Sequence, residues 1–329
     1  MNEPTAIQKI EEKAKEKNKL IVLPEAAIDL RVLHAANLLS KNGAATPILI
    51  EKNGDVQKFA RENDIKLETG IALVDLEKAV DIKSRIEFFR ERLSHKNPTE
   101  KQLKDLANNK LMAAGWMVAT GRADGAVAGS VASTADVIRA ALRTVGIAEG
   151  AKLISSTFLM ELLNGKVLTY ADCGVVPYPD AHQLADIAIS SGKTHQSLTG
   201  EEPVIGFLSF STKGSAQHER VELVRNALEI AASAKPDWKI DGEFQFDALF
   251  EPKVAKRKAP ESEVAGNANV YIFPNLDAGN IAYKITERVG GATAIGPILQ
   301  GLKKPYMDLS RGCSTQDIYY AACIASVMG

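Results

Sequence analysis

PVIGFLSFSTKGSA (residues 203–216) running straight into QHERVELVRNALEIAASA (217–234) decides the fold class. A short unbroken apolar run ends in a turn of Ser, Thr, Lys and Gly, and an amphipathic helix pattern follows. The same three-part unit recurs as LIVLPEA (20–26) before AIDLRVLHAANLLSKNG (27–43), and as TPILIE (46–51) before DVQKFARENDI (55–65). It returns in GAVAGSVAST (125–134) before ADVIRAALRTVG (135–146), and in NVYIFPNLDAGN (269–280) before IAYKITERVGG (281–291). Strands that are apolar throughout, rather than at alternate positions, belong to parallel sheets covered by helices on both faces. The chain is therefore α/β, and its ligand crevices are expected where these turns fall, at the carboxyl ends of strands.

Between these units, SRIEFFRERL (84–93) and EKQLKDLANNKLMAAGWMVATGRA (100–123) carry apolar residues at three- and four-residue spacing, which predicts helices. EPKVAKRKAPESEVAG (251–266), broken by Pro252 and Pro260, reads as an exposed loop or short helix. At 329 residues the chain suits two domains. GIAEGAK (146–152) is the natural boundary, since it separates a helix from the strand pattern KLISSTFLMEL (152–162). With 45% hydrophobic and 25% charged residues and a net charge of −1, nothing draws the molecule as a whole to nucleic acid or to an anionic membrane. Any anion site must be local. The N-terminal stretch (1–19) has charges at helical spacing and no apolar segment, so it does not read as a signal peptide, and no apolar run is long enough to span a bilayer. Cys173, Cys313 and Cys323 lack CxxC pairing, which suggests a reducing, cytoplasmic setting.

Several chemistries lack their motifs. There is no GxGxxG after a strand, no GxxxxGK[ST], no GxSxG, and the five histidines form no HExxH. Metal catalysis thus has little support. What remains is a set of polar strand-to-helix turns, and helix N-termini favour anions through free N–H groups and the helix dipole. Gly129, Ser130, Ser133 and Thr134 form one such turn, with Arg139 further along the helix; Ser211, Thr212, Lys213 and Ser215 form another. Asn275, Gly279 and Asn280 form a third, followed by Lys284. The same residues serve as ordinary caps, so each turn alone supports both readings.

DLSRGCSTQDI (308–318) carries more. Ser314-x-x-Asp317 has the spacing of a capping box, and DIYYAACIASV (317–327) continues as a helix. A cap has no need of Asp308, Ser310 and Arg311 beside it. Arginine offers a planar fork that matches phosphate or carboxylate, and Gly312 allows close backbone approach. This cluster points to an anion site.

GPILQGLKKPYMDLSRGCSTQDIYYAACIAS (296–326) and FPNLDAGNIAYKITERVGGATAIGPILQG (273–301) resemble the C-terminal signature of the phosphate acetyltransferase family. ADCGVVPYPDAHQLADIAISS (171–191) and GSVASTADVIRAAL (129–142) are similar to further segments of it, in the same order. The resemblance implies exchange of acetyl between coenzyme A and phosphate, with coenzyme A as substrate, no tightly bound cofactor and no metal. It implies two α/β domains around a cleft, isopropylmalate dehydrogenase-like, usually in a homodimer. The first domain would be discontinuous, 1–148 plus 296–329, and the second would be 149–295. Carried over by motif, Asp317 would be the general base for the thiol, Ser310 would stabilise the tetrahedral oxyanion and Arg311 would hold the phosphoryl group. Arg139, Thr134 and Lys284 would bind substrate, as would Arg92, for which Arg90 competes. Cys313, beside the proposed site, offers a rival route through an acyl-enzyme.

The chain departs from the family pattern at Ala132, Ala140 and Met307, and Met307 raises the question of acyl-chain length. Phosphate butyryltransferase is the nearest alternative. Two other classes are a non-catalytic acetyl-CoA-binding regulatory domain and an NAD-dependent decarboxylating dehydrogenase; the latter lacks its spaced acidic cluster here.

Overall fold

The computed structural model describes residues 4–329, so the first three residues of the N-terminal stretch lie outside it. The chain forms two compact units. One comprises Ile7–Ala148 and Leu302–Gly329, and the other Glu149–Gly301 with the described residues up to Ala6.

The first of these units begins with α1 (Ala6–Lys17), β1 (Leu20–Leu23), α2 (Leu30–Asn42) and β2 (Thr46–Glu51). There follow α3 (Asp55–Glu62), β3 (Ala72–Asp75), α4 (Ala79–Arg92), α5 (Glu100–Ala107) and α6 (Lys110–Ala119). β4 (Gly125–Ala128) and α7 (Thr134–Thr144) complete its N-terminal part. Local chemistry sets these boundaries. Asp29 caps α2 by accepting from the Arg31 N–H, and Gly43, at φ 68°, ends it in the left-handed conformation open to glycine.

The second unit contains β5 (Ser155–Glu161), β6 (Val167–Ala171), α8 (Ala181–Thr199), β7 (Val204–Leu208), α9 (Glu219–Ala234) and β8 (Lys239–Phe244). It continues with α10 (Phe246–Phe250), α11 (Pro252–Lys258), β9 (Val270–Ile272), α12 (Leu276–Arg288) and β10 (Thr293–Gln300). β11 (Tyr306–Asp308) and α13 (Thr315–Met328) then return to the first unit. Residue 296 lies inside β10, which pairs with β5 as far as Gln300, so the chain enters the first unit at Leu302 rather than at 296.

The first sheet runs β11-β4-β1-β2-β3 and is parallel throughout. Phe89, Trp116, Val137 and Tyr306 fill its core on the side of α4, α6 and α7. The second sheet, β10-β5-β6-β9-β7-β8, corrects the expectation of parallel strands. β6, β9, β7 and β8 are parallel, but β10, β5 and β6 pair antiparallel. The cause is local: Asn164-Gly165 closes a tight hairpin between β5 and β6, with Gly165 at φ 81°. The charged stretch 251–266 contains α11, with Pro252 in its first turn, where the missing N–H costs nothing.

α12 has one unusual face. Ile281, Ile285 and Val289, spaced four apart, are 57%, 54% and 82% exposed, and Leu163 at the tip of the hairpin is 84% exposed. Among the described residues no helix is long and apolar enough to cross a membrane.

Candidate active site

In the first unit, β4 and β11 lie side by side with Ala128 opposite Asp308, and the Leu309 N–H extends the ladder by donating to the Ala128 carbonyl at 2.8 Å. The strands are parallel, so the loops after β1, β4 and β11 all emerge at the same edge of the sheet. The candidate residues 129–139 and 308–317 are thereby brought together from opposite ends of the sequence.

The turn after β4 is not an open anion cup. The N–H groups of Gly129, Ser130, Val131 and Ala132 donate to the Glu25 carboxylate at 2.7, 3.0, 3.1 and 2.7 Å, and the Ser130 hydroxyl donates to it at 3.1 Å. Glu25 comes from the loop after β1 and is buried. The turn does concentrate N–H groups, as its composition suggests, but the chain's own carboxylate fills it. The turn at 211–215 in the second unit behaves the same way. There Glu243 accepts from the Ser211 hydroxyl at 2.7 Å and the Gly214 N–H at 2.9 Å, and pairs with Arg225 at 3.0 Å. Burial alone would raise the Glu243 carboxyl, but Arg225 and these donors outweigh it and hold it at about 2. The third turn is an ordinary cap: Asn275 accepts from the Ala278 N–H at 3.0 Å. Lys284 follows it, exposed, with its ammonium on the Asn280 side-chain oxygen at 2.8 Å. It belongs to the second unit.

The loop after β11 is held by Arg31, a residue that sequence reasoning missed. Its guanidinium donates to the Arg311 carbonyl at 2.9 Å, the Cys313 carbonyl at 2.6 Å and the Ser130 carbonyl at 3.0 Å. It also pairs with Asp29 at 2.7 Å. Burial would push the Asp29 carboxyl up, but Arg31 outweighs that and holds it below its ordinary value. Three loops thus converge on one fork-shaped cation, and the side chains of Ser310 and Arg311 stay exposed on a fixed backbone. Lysine has no such fork. Arg31→Lys is therefore expected to lower kcat/KM by about tenfold or more and to cost about 2 kcal/mol of stability, given ~1.5–3 kcal/mol for a hydrogen bond to a charged group and partial recovery by the ammonium. Chemical denaturation and steady-state rates measure both effects.

Asp317 is both cap and candidate base. The Ser314 N–H and hydroxyl donate to its Oδ2 at 2.8 and 2.9 Å, and the Asp317 N–H donates back to the Ser314 hydroxyl at 3.2 Å. Oδ1 has no hydrogen-bond partner among the described residues, and the side chain is exposed. The capping box occupies one oxygen and leaves the other unpaired among the described residues. Arg139 pairs with Asp136 at 2.5 Å. The Ser133 hydroxyl first, then Arg139, hold the Asp136 carboxyl below its ordinary value, and the charge of Arg311 adds to this. Arg139 thus engages a carboxylate at the start of α7 whose charge is also favoured by Arg311. The N–H groups of Thr134 and Ala135 have no hydrogen-bond acceptor there among the described residues.

Arg92 and Arg90 separate clearly. Arg90 is committed to Glu87 at 2.5 Å and Glu100 at 2.8 Å. Arg92 has no ion pair among the described residues and lies against Gly146, where an added Cβ would meet its Nη2 at 2.3 Å. Gly146 follows the C-terminal end of α7, so Arg92 is about 16 Å along that helix from Thr134, at ~1.5 Å per residue. It stands apart from the turn that carries Ser310.

The cysteines are poorly placed as nucleophiles. Burial pushes the Cys313 thiol up despite Arg31 nearby, and burial also raises Cys173. Met307 is buried within β11, so it does not line the exposed turn as its sequence position suggests.

The sequence profile described as "Phosphate acetyl/butaryl transferase" matches residues 5–326. The phosphate acetyltransferase of Acetivibrio thermocellus is 44% identical over 326 residues, covering 98% of this chain and 97% of that protein. The phosphate acetyltransferase of Bacillus subtilis is 41% identical over 317 residues, covering 96% and 97%. The crystal structure of a phosphotransacetylase from Streptococcus pyogenes superposes with a TM-score of 0.93 at 38% identity, covering 99% of this chain and 98% of that one. With a profile match that runs almost end to end, this chain belongs to the phosphate acetyl/butaryl transferase family of enzymes.

Proposed function

We propose that this enzyme exchanges an acetyl group between coenzyme A and phosphate by direct attack of the coenzyme A thiolate on acetyl phosphate, both substrates being bound together. The observation that carries this reading is the turn after β11, where Arg31 fixes the backbone that exposes Ser310 and Arg311, and the capping box that follows leaves Oδ1 of Asp317 without a partner among the described residues. Arg311 and Arg139 hold the phosphoryl group, helped by the free N–H groups at the start of α7. Asp317 takes the thiol proton as sulfur attacks the acetyl carbon, and Ser310 donates to the oxyanion of the tetrahedral intermediate. That intermediate collapses with release of phosphate. A thiol of pKa roughly 8.5 is mostly protonated at neutral pH, so a positioned acceptor is worth ~10²–10⁴ in rate. Fixed cations stabilise the developing charge without reorganising. No acyl-cysteine is required, which agrees with the raised Cys313 thiol. Arg92, which has no ion pair among the described residues, offers a further cation for substrate away from this turn. Thr134 contributes through its backbone, and Lys284, exposed on the second unit, offers a cation for substrate binding. The free, buried cysteines fit a reducing cytoplasm.

The decisive assay follows acetyl-CoA formation from acetyl phosphate and coenzyme A, with propionyl and butyryl phosphates alongside. Acetyl phosphate should give the highest kcat/KM. Binding of acetyl-CoA without turnover would mark a regulatory module, and a preference for butyryl phosphate would move the enzyme to the longer acyl group.

The exposed Ile281–Ile285–Val289 face supports a homodimer, because a contiguous apolar face of this kind is normally covered. Ile285→Asp should shift the enzyme from dimer to monomer in sedimentation equilibrium. A dimer unaffected by that change places the interface elsewhere.

A further inference from the structure

Asp308 ends β11, two residues before Ser310, and is only 5% exposed. Its Oδ1 is buried without a hydrogen-bond partner, and no cation pairs with it among the described residues. An added Cβ on Gly129 would meet that Oδ1 at 2.6 Å and the Leu309 nitrogen at 2.7 Å, so the carboxyl is wedged between the turns after β4 and β11. The Thr134 hydroxyl approaches it from α7. A second buried carboxylate, Glu25, lies close by, but Glu25 is fully satisfied by the turn it fills. The other elements around β11 offer no relief. α7 carries Asp136 already paired with Arg139, α13 begins with Asp317 in its capping box, and the Arg31 of α2 is engaged by Asp29. Tyr306 is the remaining titratable group on the strand, and its hydroxyl donates to the Leu111 carbonyl.

A buried carboxylate with an orphaned oxygen and a like charge nearby is costly. Asparagine has the same shape and no charge. An aspartate here, directly under the turn that carries Ser310 and Arg311, therefore points to use of the charge itself. We propose that Asp308 is a positioning residue for the acyl transfer: ionised, it holds the Ser310–Arg311 turn and the Thr134 start of α7 in their working register, and on taking up a proton it releases them. The inference rests on the acetyl-transfer reading given above and adds a residue that does not touch substrate.

Burial, reinforced by Glu25 and partly offset by Thr134, raises the Asp308 carboxyl to about 6. A carboxyl that binds its proton more tightly in the folded state makes stability fall as pH rises from its unfolded value, ~3.9, through about 6, with no further change above. Ionised Asp308 thus destabilises the enzyme in the range where the enzyme is proposed to work.

The test compares kcat and KM across about pH 5 to 8 for wild type, Asp308→Asn and Thr134→Val, with melting temperatures at each pH. The wild type should show an acid limb in kcat near pH 6. Asp308→Asn should lose that limb, with kcat at the alkaline end lowered about tenfold and KM little changed. Its melting temperature should match or exceed that of wild type above the limb. Thr134→Val, which removes the offsetting hydroxyl, should move the limb to higher pH. An active Asp308→Asn enzyme whose limb stays where the wild type has it overturns the proposal. If Asp308→Asn does not fold, an unmoved limb in Thr134→Val overturns it equally. A wild type inactive with acetyl phosphate at every pH defeats the acetyl-transfer reading and this proposal together, whereas an active enzyme with an unmoved limb defeats this proposal alone.

Discussion

Asp317→Asn should lower kcat by ~10²–10⁴, the range for a positioned general base, while the enzyme stays folded. The amide cannot accept the thiol proton, so the lost step is chemical. The cap survives, because the amide oxygen can still accept the Ser314 N–H and hydroxyl bonds now made to Oδ2. The stability cost should stay within about 1 kcal/mol, the usual scale for a helix cap. KM for acetyl phosphate should change little, since Arg311 and Arg139 are untouched. Full activity in Asp317→Asn would reduce this residue to its capping role.

Glu25→Gln should have the largest effect on stability. The wild-type carboxylate accepts four backbone N–H groups and one hydroxyl. Glutamine supplies one acceptor oxygen and turns an NH₂ donor toward the remaining donors. Each buried N–H left unpaired costs ~1–3 kcal/mol, so a loss of about 3–5 kcal/mol is expected in urea denaturation. Activity should fall with it, because the Ser130 carbonyl held by Arg31 and the start of α7 both lie on this turn. A variant within about 1 kcal/mol of wild type would show that solvent or a rearranged turn satisfies these groups.

Much of this was legible in the sequence, and for local reasons. Alternating apolar runs and amphipathic helices gave the α/β class, and the Ser314-x-x-Asp317 spacing gave a capping box that the structure realises. The turn at 308–318 was recognisable because several chemical groups sit within eleven residues of each other. What escaped was either a pairing direction or a contact between distant residues. Asn164-Gly165 was a hairpin signal hidden in an apolar run that also suited a parallel strand. Arg31 holds the Ser310–Arg311 turn across a separation of 280 residues, and no spacing rule reaches that far. Glu25 reverses the meaning of GSVAST in the same way. The turn's composition shows that it gathers N–H groups, and only the fold shows which acceptor they meet. Met307 followed the same logic, since a neighbour of the site in sequence lies on the covered side of a strand.

The carboxylate-filled turns also bear on selectivity among anions. Glu25, Glu243 and Asp172, whose carboxylate gathers the N–H groups of Ser156, Gly174, Val175 and Val176, act as tethered competitors. A tethered group competes at an effective concentration of millimolar or more, and it is never diluted away. Free sulfate, phosphate and nucleotides therefore meet amide cradles that are already taken. Discrimination would then pass to the guanidinium groups proposed to hold phosphate, whose grip weakens with ionic strength, so salt should relieve inhibition by phosphate more readily than it disturbs the fold.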